Sequence, residues 1–192
     1  MKYCIIAGSP RKNGNTAQLL KPFMEELELQ QQKYDFIWLY DQQIEPCIAC
    51  RICQNDWTDF GCHYKDDMQE IFDKVYDCDV IVLATPIYSW YCTPPMKSML
   101  DRLVYGMNKY YGDKKGPALW RGKKLALIVT CGYSPEKGAD VFEEGMKRYC
   151  KHSQLEYRGM LVERDSGYNS VFISDEKIEN ARAFARQLVD SL

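Results

Sequence analysis

Three thiols fall within seven residues of the segment PCIACRIC: Cys47, Cys50 and Cys53, spaced C-x2-C-x2-C, with Cys62 following after a gap of eight residues. Close spacing lets one loop present several thiolates to one cubane, so the run suits a 4Fe–4S cluster. Four thiolates also suit tetrahedral zinc, although zinc sites more commonly use two separated C-x2-C pairs. A third reading has no metal and leaves free or redox-active thiols. His63 follows Cys62 and is either a ligand or an exposed loop histidine. The other five cysteines, Cys4, Cys78, Cys92, Cys131 and Cys150, are scattered through apolar or helical patterns and read as core thiols.

A second chemistry-bearing stretch is IIAGSPRKNGNT, residues 5–16. An apolar run ends at Gly8, and a polar turn leads into a helix at Asn15 or Thr16. The turn offers hydroxyls, backbone N–H groups and two cations, Arg11 and Lys12, just before a helix N-terminus, which is a phosphate site on physical grounds. It is not a Walker A loop, because five residues separate Gly8 from Gly14 and Asn15 stands where the lysine would be. A dinucleotide G-x-G-x-x-G is absent. A phosphatase loop would need a nucleophilic cysteine at the end of the strand, whereas Cys4 lies near its start. A noncatalytic monophosphate clamp is left, beside the plainer reading of a polar βα turn.

A third stretch, TPIYSWYCTPPMK, brings Pro86, Ile87, Tyr88, Ser89, Trp90 and Tyr91 to the end of the most apolar strand. Rings for stacking and backbone N–H groups for a polar edge would suit a planar heteroaromatic ligand, and the same aromatics would also cap a core. Thr130-Cys131-Gly132-Tyr133-Ser134 forms a third loop of the same kind, equally readable as a turn before a helix. A phosphate clamp and an aromatic platform together point to flavin mononucleotide (FMN).

Something must hold these loops side by side. The chain has 192 residues, 46% of them hydrophobic, enough for one domain with a sizeable core. Apolar strands are expected at 2–8, 34–40, 79–86, 123–132 and 155–162. Helices are expected at 15–31, 66–78, from Pro94 onward, at 139–152 and at 174–190. Pro22 predicts a kink or a late start in the first helix. Strict alternation of strands and helices means parallel strands with right-handed crossovers. The expectation is an α/β, flavodoxin-like three-layer sandwich with a five-stranded sheet in the order 2-1-3-4-5, one domain over 1–192. Ligands in such sheets lie beyond the carboxyl ends of the strands, where all three loops fall. The cysteine segment follows the second strand and is expected at that same end. The Gly- and Tyr-rich stretch 106–122 reads as an interface element, a flap, or a segment folded back on its own domain.

A net charge of −2 and a pI near 5.8 exclude a general nucleic-acid or anionic-membrane binder. Residues 1–8 are too short for a signal sequence or a membrane span, so a cytoplasmic location is the expectation.

The stretches GSPRKNGNT, PCIACRIC…GCHYKDDM, ATPIYSWYCTPPMKSMLDR and CGYSPEKGADVFEEGMKRYCKH together resemble the flavodoxin-like NAD(P)H-dependent FMN reductases, on the branch that includes the iron–sulfur flavoproteins. The resemblance covers most of the chain. It implies bound FMN, NAD(P)H as co-substrate and a homodimer or homotetramer. It also implies electron transfer to a small acceptor such as a quinone, a nitro or azo compound, a metal ion or free flavin. Ser9, Arg11, Asn15 and Thr16 match the family's phosphate loop, to which Asn13 and Gly14 belong. Pro86, Ile87, Tyr88 and Trp90, with Ser89 between them, match its isoalloxazine loop. Cys131, Gly132 and Tyr133 occupy its third flavin loop. In the iron–sulfur flavoproteins a run like Cys47, Cys50, Cys53 and Cys62 binds a 4Fe–4S cluster; here the gap before the fourth cysteine is slightly long. No catalytic side chain is expected, because the flavin carries the chemistry. The competing readings are an iron–sulfur flavoprotein or flavodoxin-type electron carrier without nicotinamide turnover, and a flavin-free interaction protein that keeps only the fold.

Overall fold

Apolar residues alternate between two faces along the first strand. Cys4 and Ile6 point into one core and Tyr3, Ile5 and Ala7 into the other, which is what a strand covered on both sides requires. The computed structural model describes residues 1–167 and 170–190. Its strands are β1 (Lys2–Ala7), β2 (Lys33–Trp38), β3 (Val80–Pro86), β4 (Lys124–Cys131) and β5 (Glu156–Arg164). Its helices are α1 (Asn15–Leu29), α2 (Met68–Asp77), α3 (Pro94–Met107), the single turn α4 (Pro135–Gly138), α5 (Asp140–Ser153) and α6 (Asp175–Asp190).

The strands are parallel and ordered β2-β1-β3-β4-β5, as the alternation predicts. Helices α1 and α6 cover one face through Leu19, Phe23, Ala181 and Phe184. Helices α2, α3 and α5 cover the other through Ile71, Phe72, Met99, Leu103 and Met146. Each core is built of side chains that are almost wholly buried. At about 1.5–3 kcal/mol per buried large apolar side chain, these layers dominate the stability.

Two local features differ from the sequence expectation, and one open reading is resolved. The first helix is continuous through Pro22 and starts at Asn15, so the proline neither delays nor interrupts it. The second strand stops at Trp38, and Leu39–Asp41 turn into a 3-10 helix that buries Leu39. The stretch after α3 folds back on its own domain. Trp120 is buried, with its indole N–H donating to Asn108 Oδ1 at 2.8 Å. The Tyr110 hydroxyl donates to the His152 carbonyl at 2.5 Å, and the Tyr111 hydroxyl bonds to His152 Nε2.

Candidate functional site

The loop after β1 is rigid before any ligand is considered. The Gly8 N–H donates to Ala84 O at 2.8 Å, and its carbonyl accepts the Thr93 hydroxyl at 2.6 Å. A Cβ on Gly8 would sit 3.0 Å from Met96 Cε and from Thr93 Oγ1, so only glycine lets β1 end this close to the start of α3. Ser9 is buried, accepts the Arg11 N–H at 3.2 Å and donates to the Arg11 carbonyl. The Gly14 N–H closes the turn on Arg11 O at 3.0 Å. No side chain caps α1, and no acid lies in its first turn. Its first amides and the positive end of its dipole therefore face the loop, an arrangement that suits a phosphate.

The two cations of the loop part company. Lys12 pairs with Asp41 at 2.6 Å, whereas Arg11 lines a cleft of ≈ 740 Å³ together with Asn15, Gln18, Tyr88, Asp165 and Phe172. Asn13 is exposed, and its carbonyl accepts the Gln18 amide at 3.3 Å. Thr16 is buried beneath the loop, its hydroxyl bonded to that of Thr130 at 3.0 Å. That bond ties the start of α1 to the end of β4.

The loop after β3 is a two-residue hairpin. Tyr88 and Tyr91 exchange backbone hydrogen bonds of 2.8 and 3.0 Å, and Ser89 and Trp90 between them have φ of 50° and 63°. Two successive positive φ values are the mark of a type I′ turn, normally filled by Asn and Gly. Each L-residue held there costs on the order of 1 kcal/mol. The strained turn presents Trp90 outward. Its ring stacks on Tyr133 with centroids 5.9 Å apart and planes 9° apart, and its N–H donates to Lys137 O at 3.0 Å. Ile87, Ser89, Trp90, Cys131, Gly132, Tyr133 and Gly138 line a second cleft of ≈ 360 Å³. Pro86 ends β3, and Ile87 N–H donates to Thr130 O at 2.8 Å, fixing the hairpin against β4. Cys131 is buried; burial pushes its thiol up from the ordinary value, and the thiol donates to Tyr133 O at 3.3 Å. It is a packing group.

The residues expected in the first three loops therefore all gather at one end of the sheet. An uncapped helix start beside Arg11 fits a phosphate monoester, and a cleft under an exposed Trp–Tyr pair fits a planar ring. Sequence reasoning missed Thr85 and Thr93, which with Thr130 brace the loops from behind. It also missed Gln18 and the chain after β5, Asp165 and Ser170–Phe172, which walls the larger cleft. Tyr40 is a further omission: it lies beside Tyr88 and Thr93, and burial raises its pKa.

The four clustered cysteines line one pocket with Phe60, His63, Tyr64, Arg102 and Tyr105. Positive φ at Ala49 (53°), Arg51 (61°) and Gly61 (60°) coils the chain around the pocket, with Cys53 buried, Cys47 and Cys62 half-buried and Cys50 exposed. N–H donors meet three of them. Ala49 N is 3.4 Å from Cys47 Sγ, Gln54 Nε2 is 3.7 Å from Cys53 Sγ, and Arg102 Nη2 is 3.1 Å from Cys62 Sγ. Burial pushes the Cys53 thiol up, while Gln54 and Lys109 pull it down. The Arg102 Nε atom is buried with no partner among the described residues. Donors aimed at sulfur and an orphaned guanidinium nitrogen fit an anionic sulfur-ligated group. Among the described residues, no three His, Cys, Asp or Glu side chains converge tightly enough for a single metal ion. Zinc would draw its sulfurs to within about 4 Å of one another. A cubane takes one thiolate at each iron and tolerates a wider set. His63 is exposed, against the edge of Tyr64.

The pocket is not at the carboxyl end of the sheet, where it was expected. Its walls come from the far half of α3. Gln54 donates to Tyr105 O at 2.6 Å, Lys109 donates to Cys53 O at 2.9 Å, and Phe60 lies on Gly106. Helix α3 leaves the ligand end near Met96, so Gly106 is about 15 Å down its axis at 1.5 Å per residue. The cause is the long return to α2. Twenty-six residues separate Asp41, the end of the 3-10 helix, from Met68, and that length lets the segment run down the α2–α3 face and bury Phe60 and Cys53 there.

Comparison with known proteins agrees with this geometry. The family model described as NADPH-dependent FMN reductase matches residues 1–147. An iron–sulfur flavoprotein of Archaeoglobus fulgidus is 32% identical over 81% of this chain and 77% of its own. Another, from Methanosarcina thermophila, is 27% identical over 88% of this chain and 80% of its own. The solved structure of an NAD(P)H:quinone oxidoreductase from Methanothermobacter marburgensis has a TM-score of 0.74, covers 98% of this chain and 97% of that one, and is 17% identical, a likeness of fold.

Proposed function

The chain belongs to the NADPH-dependent FMN reductase family, on the side of it that resembles the iron–sulfur flavoproteins, and from that premise we propose how its residues divide the work. It is an FMN-dependent oxidoreductase that uses NAD(P)H; our reading is that electrons leave to a small acceptor such as a quinone, a nitro or azo compound, a metal ion or free flavin. When bound, FMN supplies the redox chemistry, accepting hydride from reduced nicotinamide and passing electrons on. The observation that carries the reading is the meeting, at one end of the sheet, of an uncapped helix start beside Arg11 and a cleft walled by Trp90 and Tyr133.

On this reading the first amides of α1, the Ser9–Thr16 loop and Arg11 hold the phosphate. Backbone groups at 86–90 hold the polar edge of the ring, and the 131–133 loop closes its other side. Trp90 and Tyr133 exclude water and offer the surface on which a flat acceptor or nicotinamide lies. No side chain has to transfer a proton as a dedicated acid or base.

The cysteine pocket supports a second component. Cys47, Cys50, Cys53 and Cys62 would hold a 4Fe–4S cluster, which supplies one-electron storage. A homodimer or homotetramer and a cytoplasmic working place go with this reading; among the described residues no helix is long and apolar enough to cross a membrane.

The test is anaerobic turnover. The FMN-loaded protein should oxidise NADPH or NADH with benzoquinone present. Trp90→Ala should change the flavin spectrum and slow quinone turnover at least several-fold. A protein that takes up no FMN, or that takes it up and oxidises neither nucleotide, would leave only the carrier or binding-protein readings.

A further inference from the structure

Two cations are buried beside the cysteine pocket, and among the described residues Asp66 is the carboxylate in direct contact with either. The Arg102 side chain is 1% exposed and pairs with Asp66 at 2.5 Å. Lys109 is fully buried, and its ammonium donates to three backbone carbonyls: Cys53 at 2.9 Å, Asp59 at 2.6 Å and Phe60 at 3.3 Å. A buried charge is costly unless something of opposite sign meets it. The Asp56 and Asp59 carboxylates act on Lys109 from beyond contact, and the thiols of Cys53 and Cys62 are further groups placed to balance the two cations.

The two cations do different work. Cys47, Cys50 and Cys53 are positioned by their own short run, but Cys62 lies outside it. Lys109 ties the backbone at Cys53 to the backbone at Asp59 and Phe60, which fixes the approach to Cys62. Arg102 then takes the sulfur itself. Its Nη1 is engaged by Asp66 Oδ2 and by Glu45 O at 3.2 Å, and its Nη2 reaches Cys62 Sγ at 3.1 Å. Asp66 is in turn held by the Glu45 N–H at 2.9 Å, so the planar fork is fixed on both sides.

We propose that Arg102 positions Cys62 and sets the reduction potential of the iron–sulfur centre held by Cys47, Cys50, Cys53 and Cys62, with Lys109 joining the two cysteine-bearing segments. This rests on the cluster reading given above. The redox change is the gain of one electron by an already anionic centre, with no bond made or broken. A fixed cation on a ligating sulfur favours the more negative, reduced state, and a hydrogen bond to that sulfur acts in the same direction. Arg102 therefore raises the potential.

The experiment uses the full chain, FMN-loaded and prepared anaerobically with iron and sulfide, as wild type, Arg102→Gln and Arg102→Lys. Iron and acid-labile sulfide per chain are measured. The cluster midpoint is read by EPR during a dithionite titration. FMN content and a thermal melt serve as fold controls. Arg102→Gln should move the cluster midpoint to more negative potential while leaving the flavin midpoint in place. Arg102→Lys, which keeps the charge and loses the fork, should move it less. Loss of the cluster from Arg102→Gln with FMN and melt intact would support the positioning role; if that variant does not fold, the midpoint of Arg102→Lys decides. Both variants holding the cluster at the wild-type midpoint would overturn the proposal. A wild-type protein without stoichiometric iron and sulfide would remove the cluster reading itself, a different and separately visible failure.

Discussion

Gly106→Ala is the substitution that most directly tests how the cysteine segment is seated. Gly106 lies in the last turn of α3, and a Cβ there would fall well inside 3.0 Å of Phe60 Cε2 and Cδ2. Contact between carbon atoms is comfortable near 3.5–4.0 Å, so the ring would have to retreat by about 1 Å or more. It has little room. Phe60 is 2% exposed, stacks on Phe72 with centroids 5.0 Å apart, and faces the Arg102 guanidinium at 5.6 Å. Two effects compete. Alanine gains about 1 kcal/mol of helix propensity over glycine. Overpacking a filled site costs about 1–3 kcal/mol. With the ring trapped, the second should win, giving a net loss of up to about 2 kcal/mol. A displaced Phe60 also pulls on the Lys109 clamp and on Cys62, so iron and sulfide content should fall while FMN content stays. Denaturant midpoints and metal analysis read both quantities. In a Phe60→Leu background the penalty of Gly106→Ala should largely disappear. A Gly106→Ala protein that is stabilised by about 1 kcal/mol and retains full metal content would refute the packing argument.

Other outcomes follow from the loops and from the buried ion pair. Arg11→Gln should weaken FMN by about 1.5–3 kcal/mol, the scale of a hydrogen bond to a charged group, and leave riboflavin affinity unchanged; equal losses for both ligands in parallel fluorescence titrations would move the phosphate elsewhere. Thr16→Val should lower stability by about 1–3 kcal/mol by leaving the buried Thr130 hydroxyl unpaired, visible as an earlier urea midpoint. Burial raises the Asp66 carboxyl, but Arg102 and the N–H groups of Glu45 and Met68 outweigh it and hold its pKa below the ordinary value. A depressed folded pKa gives stability that is full above the unfolded value and is lost as pH falls through the folded one. Asp66→Asn should therefore be about 3 kcal/mol less stable than wild type at neutral pH. The gap should narrow only below about pH 4, and a gap independent of pH down to acid unfolding would count against the ion pair.

The sheet order was legible because the inner strands are apolar on both faces and each crossover carries a helical stripe. Ile5, Val82 and Ile128 could belong nowhere but a covered sheet. The flavin-end loops were legible because parallel topology delivers them together whatever their detailed shape. The type I′ turn at Ser89 and Trp90 was not, since neither residue is one that normally takes positive φ. The depth of the cysteine pocket was not legible either. A segment after β2 is bound only at its two ends, and its path is decided by burial of Phe60, Cys53 and Gln54, none of which shows a period. Lys109 sits in a Lys-, Tyr- and Gly-rich stretch that the sequence left open between interface, flap and fold-back, and the fold buries it fully. Arg102 carried a faint signal, since it lies three residues after Met99 on the buried side of α3.

The Lys109 clamp also imposes an order in time. Cys47, Cys50, Cys53 and Cys62 leave the ribosome at least 40 residues before Arg102 and 47 before Lys109, counted from Cys62. At about 5–20 residues per second, several seconds pass in which the thiols exist without the wall that encloses them. A nascent chain ending near residue 95 has all four clustered thiols and no pocket. On the cluster reading, metal loading is a late event, coupled to completion of α3 and the turn after it. The same interval is when its cysteines are most open to oxidation, so an arrest placed just before α3 should expose them all to alkylation, and release should hide Cys53 first.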